Sequence, residues 1–398
     1  MEIPSSLNFE QCSSEAAAAY KAQVMASFGP VGKVADLTGG LGVDSSAFAK
    51  VADSVLYVER DAVLADAAAR NFRVLADGNG GWCSNIDVKC ALSDRDFVAA
   101  LSHQDWIFLD PARRSESGRK VFLLEDCSPN VVELLPVLLS AADRVMLKLS
   151  PMADITMLRS RLGPSLRQVH IVGAAGECKE LLCVLEGSAA GPLPFAASPV
   201  TMGSVAEDSL PGGGEPEIIV HDVHGGQFRF FPSENARHDV IWAESVEVGM
   251  ELWEPDAVMM KAACHPLICS RLGLKKFSLE SHLFVREVVS GEMTSPDGDG
   301  LSLSISGRMP ENDGRQSGAA KLGCGLFKVF RIVDVLPFGK QGFKAVGSAY
   351  PVADVSARGI PMSSEELASR LKVRPGGNVH IFGAVLCGER VLVVAVRT

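Results

Sequence analysis

The chain has 398 residues, of which 47% are hydrophobic and 22% charged. This balance excludes a wholly disordered or collagen-like chain, and the length predicts two or three domains. The formal net charge of −10 argues, as an average, against a protein coated in basic residues for nucleic acid. The charge is uneven, because residues 321–398 carry 11 Lys and Arg against 5 Asp and Glu, a net +6. An acidic N-terminal part followed by a basic C-terminal segment indicates an interaction surface near the end of the chain.

Neither a secretion signal, a membrane span nor a metal site is indicated by the sequence. The first residues lack the basic start and apolar core of a signal peptide. The longest near-apolar run, 131–142, contains Glu133 and is too short to span a bilayer. The ten cysteines follow neither a CxxC pattern nor zinc spacing, which favours reduced, buried thiols. We therefore expect a cytoplasmic protein without a metal.

The first half of the chain alternates between helical and strand patterns. An alanine-rich helix is predicted over 16–25 with a serine N-cap, and further helices over 44–52 and 64–75. Strands are predicted at 34–37, 55–59, 87–92, 106–110, 144–149, 169–173 and 181–185. The last two strands are too close in sequence for a crossover helix. The pattern predicts a Rossmann-like α/β fold: a mostly parallel seven-stranded sheet with a terminal antiparallel hairpin.

Changes in amino-acid composition along the sequence predict four segments. Residues 1–190 form the α/β domain with its N-terminal helix, and 191–245 a Gly- and Pro-rich linker with a β-hairpin extension. Two small α+β domains follow over 246–325 and 326–398, the second with several β-rich segments.

A glycine-rich turn after the first strand is the first motif that indicates chemistry. Asp36 ends that strand, and Gly39-Gly40-Leu41-Gly42 leads into the next helix. The turn lacks the dinucleotide GxGxxG pattern and a Walker lysine, which disfavours NAD and ATP. Glu59 closes the second strand, where a carboxylate accepts hydrogen bonds from ribose hydroxyls. Glycine turn and strand-end acid together predict S-adenosylmethionine, a ligand with a ribose and an amino-acid tail.

An Asp-Pro sequence at the end of the fourth strand is the second motif. Asp110 and Pro111 lie where ligands bind in open α/β sheets, at the carboxyl ends of the strands. Many amino-methyltransferases have Asn/Asp-Pro-Pro-aromatic here, and the carboxylate and prolyl carbonyl orient the target amine. This chain has Ala112-Arg113 in place of the second proline and the aromatic residue. Arg113 and Arg114 are candidates to hold phosphate or carboxylate groups, with a solvated loop as the alternative.

Several separated motifs together resemble one family of bacterial class I methyltransferases with a ferredoxin-like segment and a C-terminal THUMP-like domain. They are the stretches 10–15, 36–44, 110–114, 148–152, 176–181, 252–257 and 335–340. The resemblance covers most of the chain, and implies S-adenosylmethionine as cofactor and RNA as substrate. RNA is implied by analogy of fold, because THUMP domains accompany RNA-modifying enzymes.

The site residues are then predicted from strand ends. Asp110 and Pro111 are the candidate catalytic residues. The candidate cofactor-binding residues are Asp36, Thr38, Gly39, Gly40, Gly42, Asp44, Glu59 and Asp94. The candidate substrate-binding residues are Arg113, Arg114, Lys148, Ser150, Glu177 and Lys179. The candidate RNA surface comprises the basic residues Lys340, Lys344, Arg358, Arg370, Lys372 and Arg374.

Three functions are open at this point. The first is methylation of an RNA base, with an exocyclic amine as the leading acceptor. The second is a methyltransferase for a small molecule or protein, which the acidic front and the missing aromatic residue favour. The third is a non-catalytic RNA-binding protein on the same fold, which the intact motifs around Asp36, Glu59 and Asp110 disfavour.

Overall fold

The structure is a computed structural model that describes residues 2–78, 81–113, 124–186, 214–287 and 325–398. The described chain divides into two compact units. The first contains the described residues of 2–172 and 179–219, and the second contains 173–178 and the described residues from 220 onward. Part of the predicted 191–245 segment therefore lies outside the described residues, and the four predicted domain boundaries stay predictions.

The first unit begins with two helices and continues as alternating strands and helices. Its helices are α1 (Ser6–Gln11), α2 (Glu15–Ala26), α3 (Val43–Phe48), α4 (Ala62–Asp77), α5 (Arg95–Ala99), α6 (Val131–Ala141) and α7 (Ile155–Leu162). Its strands are β1 (Val31–Asp36), β2 (Ala52–Glu59), β3 (Ile86–Cys90), β4 (Gln104–Leu109), β5 (Ala112–Arg113), β6 (Cys127–Ser128), β7 (Ala142–Leu149), β8 (Leu166–Ala174) and β9 (Glu177–Glu186). The predicted alanine-rich helix is α2, capped by the Ser14 side chain, which accepts a hydrogen bond from the Ala17 N–H.

The sheet of this unit has the order β3-β2-β1-β4-β7-β9-β8. Strands β1, β2, β3, β4 and β7 pair in parallel, and β9 pairs antiparallel with β7. This confirms the predicted mostly parallel sheet with a terminal hairpin. The hairpin strand β9 inserts between β7 and β8, a position that the sequence does not predict. Strand β10 (Glu217–Asp222), which the boundary between the units divides, follows β8 in the order.

The central strand β4 explains why the sheet forms here. Trp106, Ile107, Phe108 and Leu109 are each at most 1% exposed, so β4 is apolar on both faces. Continuous apolar runs are typical of parallel strands covered on both sides. Because β1, β4 and β7 run in parallel, their carboxyl ends meet at one edge of the sheet. That edge carries the glycine turn, the Asp110-Pro111 sequence and Lys148.

The second unit contains a seven-stranded sheet in the order β13-β14-β12-β15-β18-β17-β16. The strands of this sheet are β12 (Glu251–Pro255), β13 (Lys275–Lys276), β14 (Phe284–Arg286), β15 (Phe327–Pro337), β16 (Asp354–Arg358), β17 (Val379–Leu386) and β18 (Glu389–Arg397), and the unit also contains β11 (Gly225–Phe230), which is not part of this sheet. Its helices are α8 (Pro232–Asn235), α9 (Ala257–Ala262), α10 (His265–Leu272), α11 (Lys340–Ala349) and α12 (Ser364–Leu371). A buried apolar cluster that includes Phe330, Phe382 and Val393 packs on the sheet. The extra sheet agrees with the predicted α+β character of the C-terminal region.

The apolar run around residue 131 forms α6, a helix of 11 residues. Among the described residues, the helices include none that is long and apolar enough to cross a membrane.

Candidate active site

The glycine turn after β1 is held against the end of β2. The Gly39 N–H donates to the Val58 carbonyl at 2.9 Å, and the Tyr57 hydroxyl donates to the Gly40 carbonyl at 2.6 Å. A Cβ atom on Gly39 would overlap the Tyr57 ring. Gly42 has φ +79°, and a Cβ there would also meet the Phe72 ring. Glycine is therefore required at 39 by close packing, and at 42 by both packing and backbone conformation.

Asp36 lies beneath this turn and is 1% exposed. Its carboxylate accepts hydrogen bonds from the Ser45 hydroxyl at 2.6 Å and from the Thr38 N–H at 3.1 Å. Burial, opposed by the Ser45 hydrogen bond, raises the pKa of Asp36 to about 7. The side chain thus fastens the start of α3 to the turn and lines neither of the two clefts described below, and its predicted contact with the cofactor stays a prediction.

Glu59 closes the other side of the turn. Its two carboxylate oxygens accept hydrogen bonds from the Gly40 N–H at 3.0 Å and from the Asp61 N–H at 2.9 Å. Thr38 connects the turn to the Asp-Pro sequence, because its hydroxyl oxygen accepts a hydrogen bond from the Asp110 N–H at 2.6 Å. Two motifs that are 72 residues apart in sequence are thereby joined directly.

A cleft of about 530 Å³ opens above the turn, and we call it the large cleft. Its volume lies in the range of small-molecule sites. Seven predicted site residues line it: Thr38, Gly39, Gly40, Asp44, Glu59, Asp110 and Lys148. The ionisable residues of the lining are Asp44, Glu59, Asp110, Arg60 and Lys148, with Cys12. Of the three carboxylates, Asp110 is paired with Lys148 and Asp44 with the buried Lys21, while Glu59 forms no ion pair with a described residue.

Sequence reasoning missed part of this lining. Asn8, Cys12 and Ser13 come from the N-terminal segment before α2, and Pro129 follows the short strand β6. Neither segment follows a strand of the large parallel sheet, because β6 pairs with β5 in a separate two-stranded sheet, so reasoning from the ends of the predicted strands could not find these residues. The only sequence signal was the 10–15 stretch, which carried the family resemblance without a role.

A smaller cleft of about 250 Å³ adjoins the first, and we call it the small cleft. Its lining residues are Asp110, Pro111, Lys148, Leu149, Ser150, Met152, Lys179 and Glu180. Asp110 and Lys148 line both clefts. The structure thus brings the predicted catalytic pair together with three predicted substrate-binding residues, Lys148, Ser150 and Lys179.

Lys148 forms an ion pair with Asp110 at the junction of the two clefts. The Lys148 side chain is 14% exposed and the Asp110 side chain 36% exposed. Burial disfavours the ammonium charge, but Asp110, followed by Glu180 and Asp44, outweighs it, so the pKa of Lys148 is raised. Lys148 is therefore a persistent cation beside the Asp-Pro sequence.

Several predicted site residues lie elsewhere. Asp94 caps α5, where its carboxylate accepts a hydrogen bond from the Phe97 N–H at 2.9 Å, and its neighbour Ser93 lines the large cleft instead. Gly42 and Glu177 line neither cleft. The Arg113 side chain and all of Arg114 lie outside the described residues. Their roles stay predictions.

No group of three or more His, Cys, Asp or Glu side chains arranged to hold a metal ion occurs within residues that the structure describes.

Comparisons with known proteins bear on both halves of the chain. A ferredoxin-like domain model matches residues 252–291, and a THUMP domain-like model matches residues 327–397. The "putative methyltransferase" of Porphyromonas gingivalis W83 is similar over all of this chain and 84% of its own, with 25% sequence identity and a TM-score of 0.75. No curated protein sequence matches the chain. The predicted family resemblance and fold class are thus confirmed.

Two other solved structures overlap with less than half of the chain. An rRNA methylase from Streptococcus thermophilus is 11% identical over 42% of this chain and 94% of its own, with a TM-score of 0.31. The T. thermophilus 16S rRNA N2 G1207 methyltransferase is 17% identical over 44% of each chain, with a TM-score of 0.30. Overlaps of this extent bear on neither substrate nor activity.

Proposed function

We propose that this protein is an S-adenosylmethionine-dependent methyltransferase whose acceptor is an amine, and that the amine is the exocyclic amino group of an RNA base. The observation that carries the proposal is the position of Asp110 and Lys148 at the junction of two clefts. One cleft has the glycine turn and Glu59, as expected for a nucleoside with an amino-acid tail. The other opens on Pro111 and has room for an acceptor.

The residues of the large cleft fit S-adenosylmethionine. The cofactor carries a sulfonium and an ammonium group but no phosphate, and three carboxylates exceed two cationic side chains in the lining. Glu59 would hold the ribose hydroxyls, since a carboxylate that accepts two backbone hydrogen bonds keeps further lone pairs free. The glycine turn would approach the methionine part, with Asp44 as a partner for its ammonium group.

The chemistry divides between the cofactor and the chain. When bound, the cofactor supplies a methyl group already activated by the sulfonium sulfur, so the protein needs no nucleophile of its own. Asp110 and the Pro111 carbonyl accept hydrogen bonds from the acceptor amine and orient its lone pair, which is catalysis by positioning. Lys148 stays protonated, so it fixes the Asp110 carboxylate and does not take the amine proton, which passes to water.

RNA as the acceptor is supported by the THUMP domain-like match and by the basic tail of the sequence. Four basic residues of this region, Lys340, Lys344, Lys372 and Arg374, are exposed, and none of them forms an ion pair with a described residue. Arg358 and Arg370 differ, because they pair with Glu254 and Glu366. The four exposed residues are the better candidates for phosphate contacts.

A small-molecule or protein acceptor is the second candidate. It is favoured by the sequence at residue 113, where Arg113 replaces the aromatic residue that would stack on a base. The excess of carboxylates in the cleft is also unlike a phosphate site.

Two measurements test the cofactor assignment and the RNA assignment separately. Calorimetry with S-adenosylmethionine should detect binding, and its absence at near-millimolar cofactor contradicts the proposal as a whole. The protein is then incubated with methyl-labelled cofactor and total RNA from a strain that lacks the gene. We expect label in RNA, whereas label only in protein or small molecules overturns the RNA assignment and leaves the methyltransferase proposal standing.

A further inference from the structure

A lysine in the middle of α2 is completely buried. Lys21 has a side-chain exposure of 0%, although α2 belongs to an N-terminal segment outside the strand-and-helix alternation. Lysine is almost never fully buried unless it is paired, because removing its charge from water is costly. The residues that pair with Lys21 therefore indicate the role of its buried charge.

Lys21 contacts three chain segments at once. Its ammonium group donates to the Ser13 hydroxyl at 2.9 Å and to Asp44 Oδ1 at 3.0 Å, and lies 2.9 Å from Glu180 Oε1. The Ser13 hydroxyl in turn donates to Asp44 Oδ2 at 2.8 Å. Lys21 thus joins the N-terminal segment, the first turn of α3 and strand β9.

These partners belong to different clefts. Ser13 and Asp44 line the large cleft, and Glu180 lines the small cleft. Burial raises the pKa of Glu180, while the charges of Lys21 and Lys148 oppose the rise. One buried ammonium group therefore faces the walls of both clefts from behind.

We propose that Lys21 is a positioning residue that holds Asp44 and Ser13 in place on the cofactor side of the large cleft. Through Glu180 it also connects these residues to the small cleft, where the acceptor would bind. The inference rests on the proposed function, because it assigns the large cleft to S-adenosylmethionine. A buried ion pair is weak evidence for stability, since apolar side chains often replace it without loss. The role of the ion pair here is to orient the side chains of Asp44 and Ser13 toward the large cleft.

Calorimetry with S-adenosylmethionine on a set of variants separates positioning from a merely structural role. Lys21→Met removes the charge and leaves two carboxylates without their partner, so it destabilises the fold. The double variant Lys21→Met/Glu180→Gln also removes the buried carboxylate charge of Glu180, and thermal unfolding should show recovery of much of the lost stability. We expect the double variant nevertheless to bind the cofactor at least about 10-fold more weakly, a loss of about 1.4 kcal/mol.

Ser13→Ala keeps the test open if both Lys21 variants fail to fold. It removes the hydrogen bond from Ser13 to Asp44 and one acceptor of the Lys21 ammonium group, but it keeps the Lys21 ion pairs with Asp44 and Glu180. We expect cofactor affinity to fall about 5-fold, within the range for one hydrogen bond. The matched control is Ser140→Ala, whose hydroxyl donates only to the Val137 carbonyl within α6. Its affinity should equal that of the unmodified protein.

The outcomes distinguish the two proposals. If the unmodified protein binds no cofactor, the proposed function fails and the inference fails with it. If the unmodified protein binds, a folded double variant with unchanged affinity overturns the inference alone. Unchanged affinity in Ser13→Ala does the same where the Lys21 variants do not fold.

Discussion

The Lys148 ammonium group is ion-paired with the Asp110 carboxylate, and these two residues line both clefts of the first unit. The pair couples the Asp-Pro sequence after β4 to the end of the neighbouring parallel strand β7. It also leaves the carboxylate able to accept further hydrogen bonds, since an ionised carboxylate has about four lone-pair sites. An acceptor amine can therefore approach Asp110 without displacing Lys148.

Replacement of Asp110 should separate cofactor binding from transfer. We expect Asp110→Ala to reduce the transfer rate by about 100-fold or more, because the amine loses the carboxylate that orients it. Cofactor affinity should change by less than about 5-fold, since Asp110 is only one of several lining residues. Labelled-methyl transfer and calorimetry measure the two effects. Asp143→Asn, which removes a carboxylate that is hydrogen-bonded to His103, is the control and should leave both unchanged. Full turnover by Asp110→Ala would remove this residue from the site.

Replacement of Glu59 should act on cofactor affinity. Glu59→Gln keeps the shape of the side chain but removes the charge that strengthens its hydrogen bonds, which are worth about 1.5–3 kcal/mol each. We expect cofactor affinity to fall about 10- to 100-fold in calorimetry. Glu133→Gln, at an exposed position of α6, provides the control. Equal affinities for the two variants would rule out a role for Glu59 in ribose binding.

Asp36 should make stability depend on pH. Its pKa in the folded state is about 7, above the ordinary 3.8, so between these values the folded protein binds more protons than the unfolded one. The stability contributed by this group is therefore fully present below about pH 4 and is lost as pH rises through about 7. We expect Asp36→Asn to gain stability relative to the unmodified protein as pH rises from 4 to 8, by up to roughly 4 kcal/mol. Urea unfolding at several pH values measures the difference, and a difference independent of pH would contradict the assignment.

The glycine turn should not tolerate a side chain at residue 39. Gly39→Ala places a methyl group into the Tyr57 ring, and overpacking of this kind costs about 1–3 kcal/mol. We expect lower stability in urea unfolding and weaker cofactor binding, because the turn must move from β2. Gly339→Ala is the matched control, since a Cβ there meets no atom within 4 Å. Wild-type stability for Gly39→Ala would show that the turn adapts freely.

The exposed basic residues of the second unit should determine the salt dependence of RNA binding. Changing Lys340, Lys344, Lys372 and Arg374 to Gln should weaken binding and reduce the slope of log affinity against log salt. Removing one cation that neutralises a phosphate lowers the magnitude of that slope by about 0.7–0.9. The control is Arg370→Gln, because Arg370 already pairs with Glu366. A slope that is the same in the fourfold variant and the unmodified protein would exclude these residues from the RNA interface.

Sequence reasoning located the elements of the first unit because their signals are local. Strand β4 is a continuous apolar run, and α2 is an alanine-rich run with a serine cap, so each segment contains its own evidence. The place of Asp110 at a ligand-binding edge followed from chain direction alone. By contrast, the sequence predicts Asp94 as a cofactor-binding residue, but Asp94 caps α5, and its neighbour Ser93 lines the large cleft. A shift of one residue decides which side chain faces a cleft, and a weak strand such as β3 does not fix it.

The sequence by itself determined the parallel sheet, the glycine turn, the Asp110-Pro111 sequence and the S-adenosylmethionine prediction. Only the tertiary structure decided that Asp36 lies beneath the turn, that β9 inserts between β7 and β8, and that Lys21 reaches both Asp44 and Glu180. The physical reason is the range of the interactions. Hydrophobic periodicity and turn-forming residues act over a few neighbouring positions, so they can be recognised in the sequence. A buried charge takes its partners from whichever segments the packed core brings within about 3 Å of it, and Lys21 finds Glu180 across 159 positions of sequence.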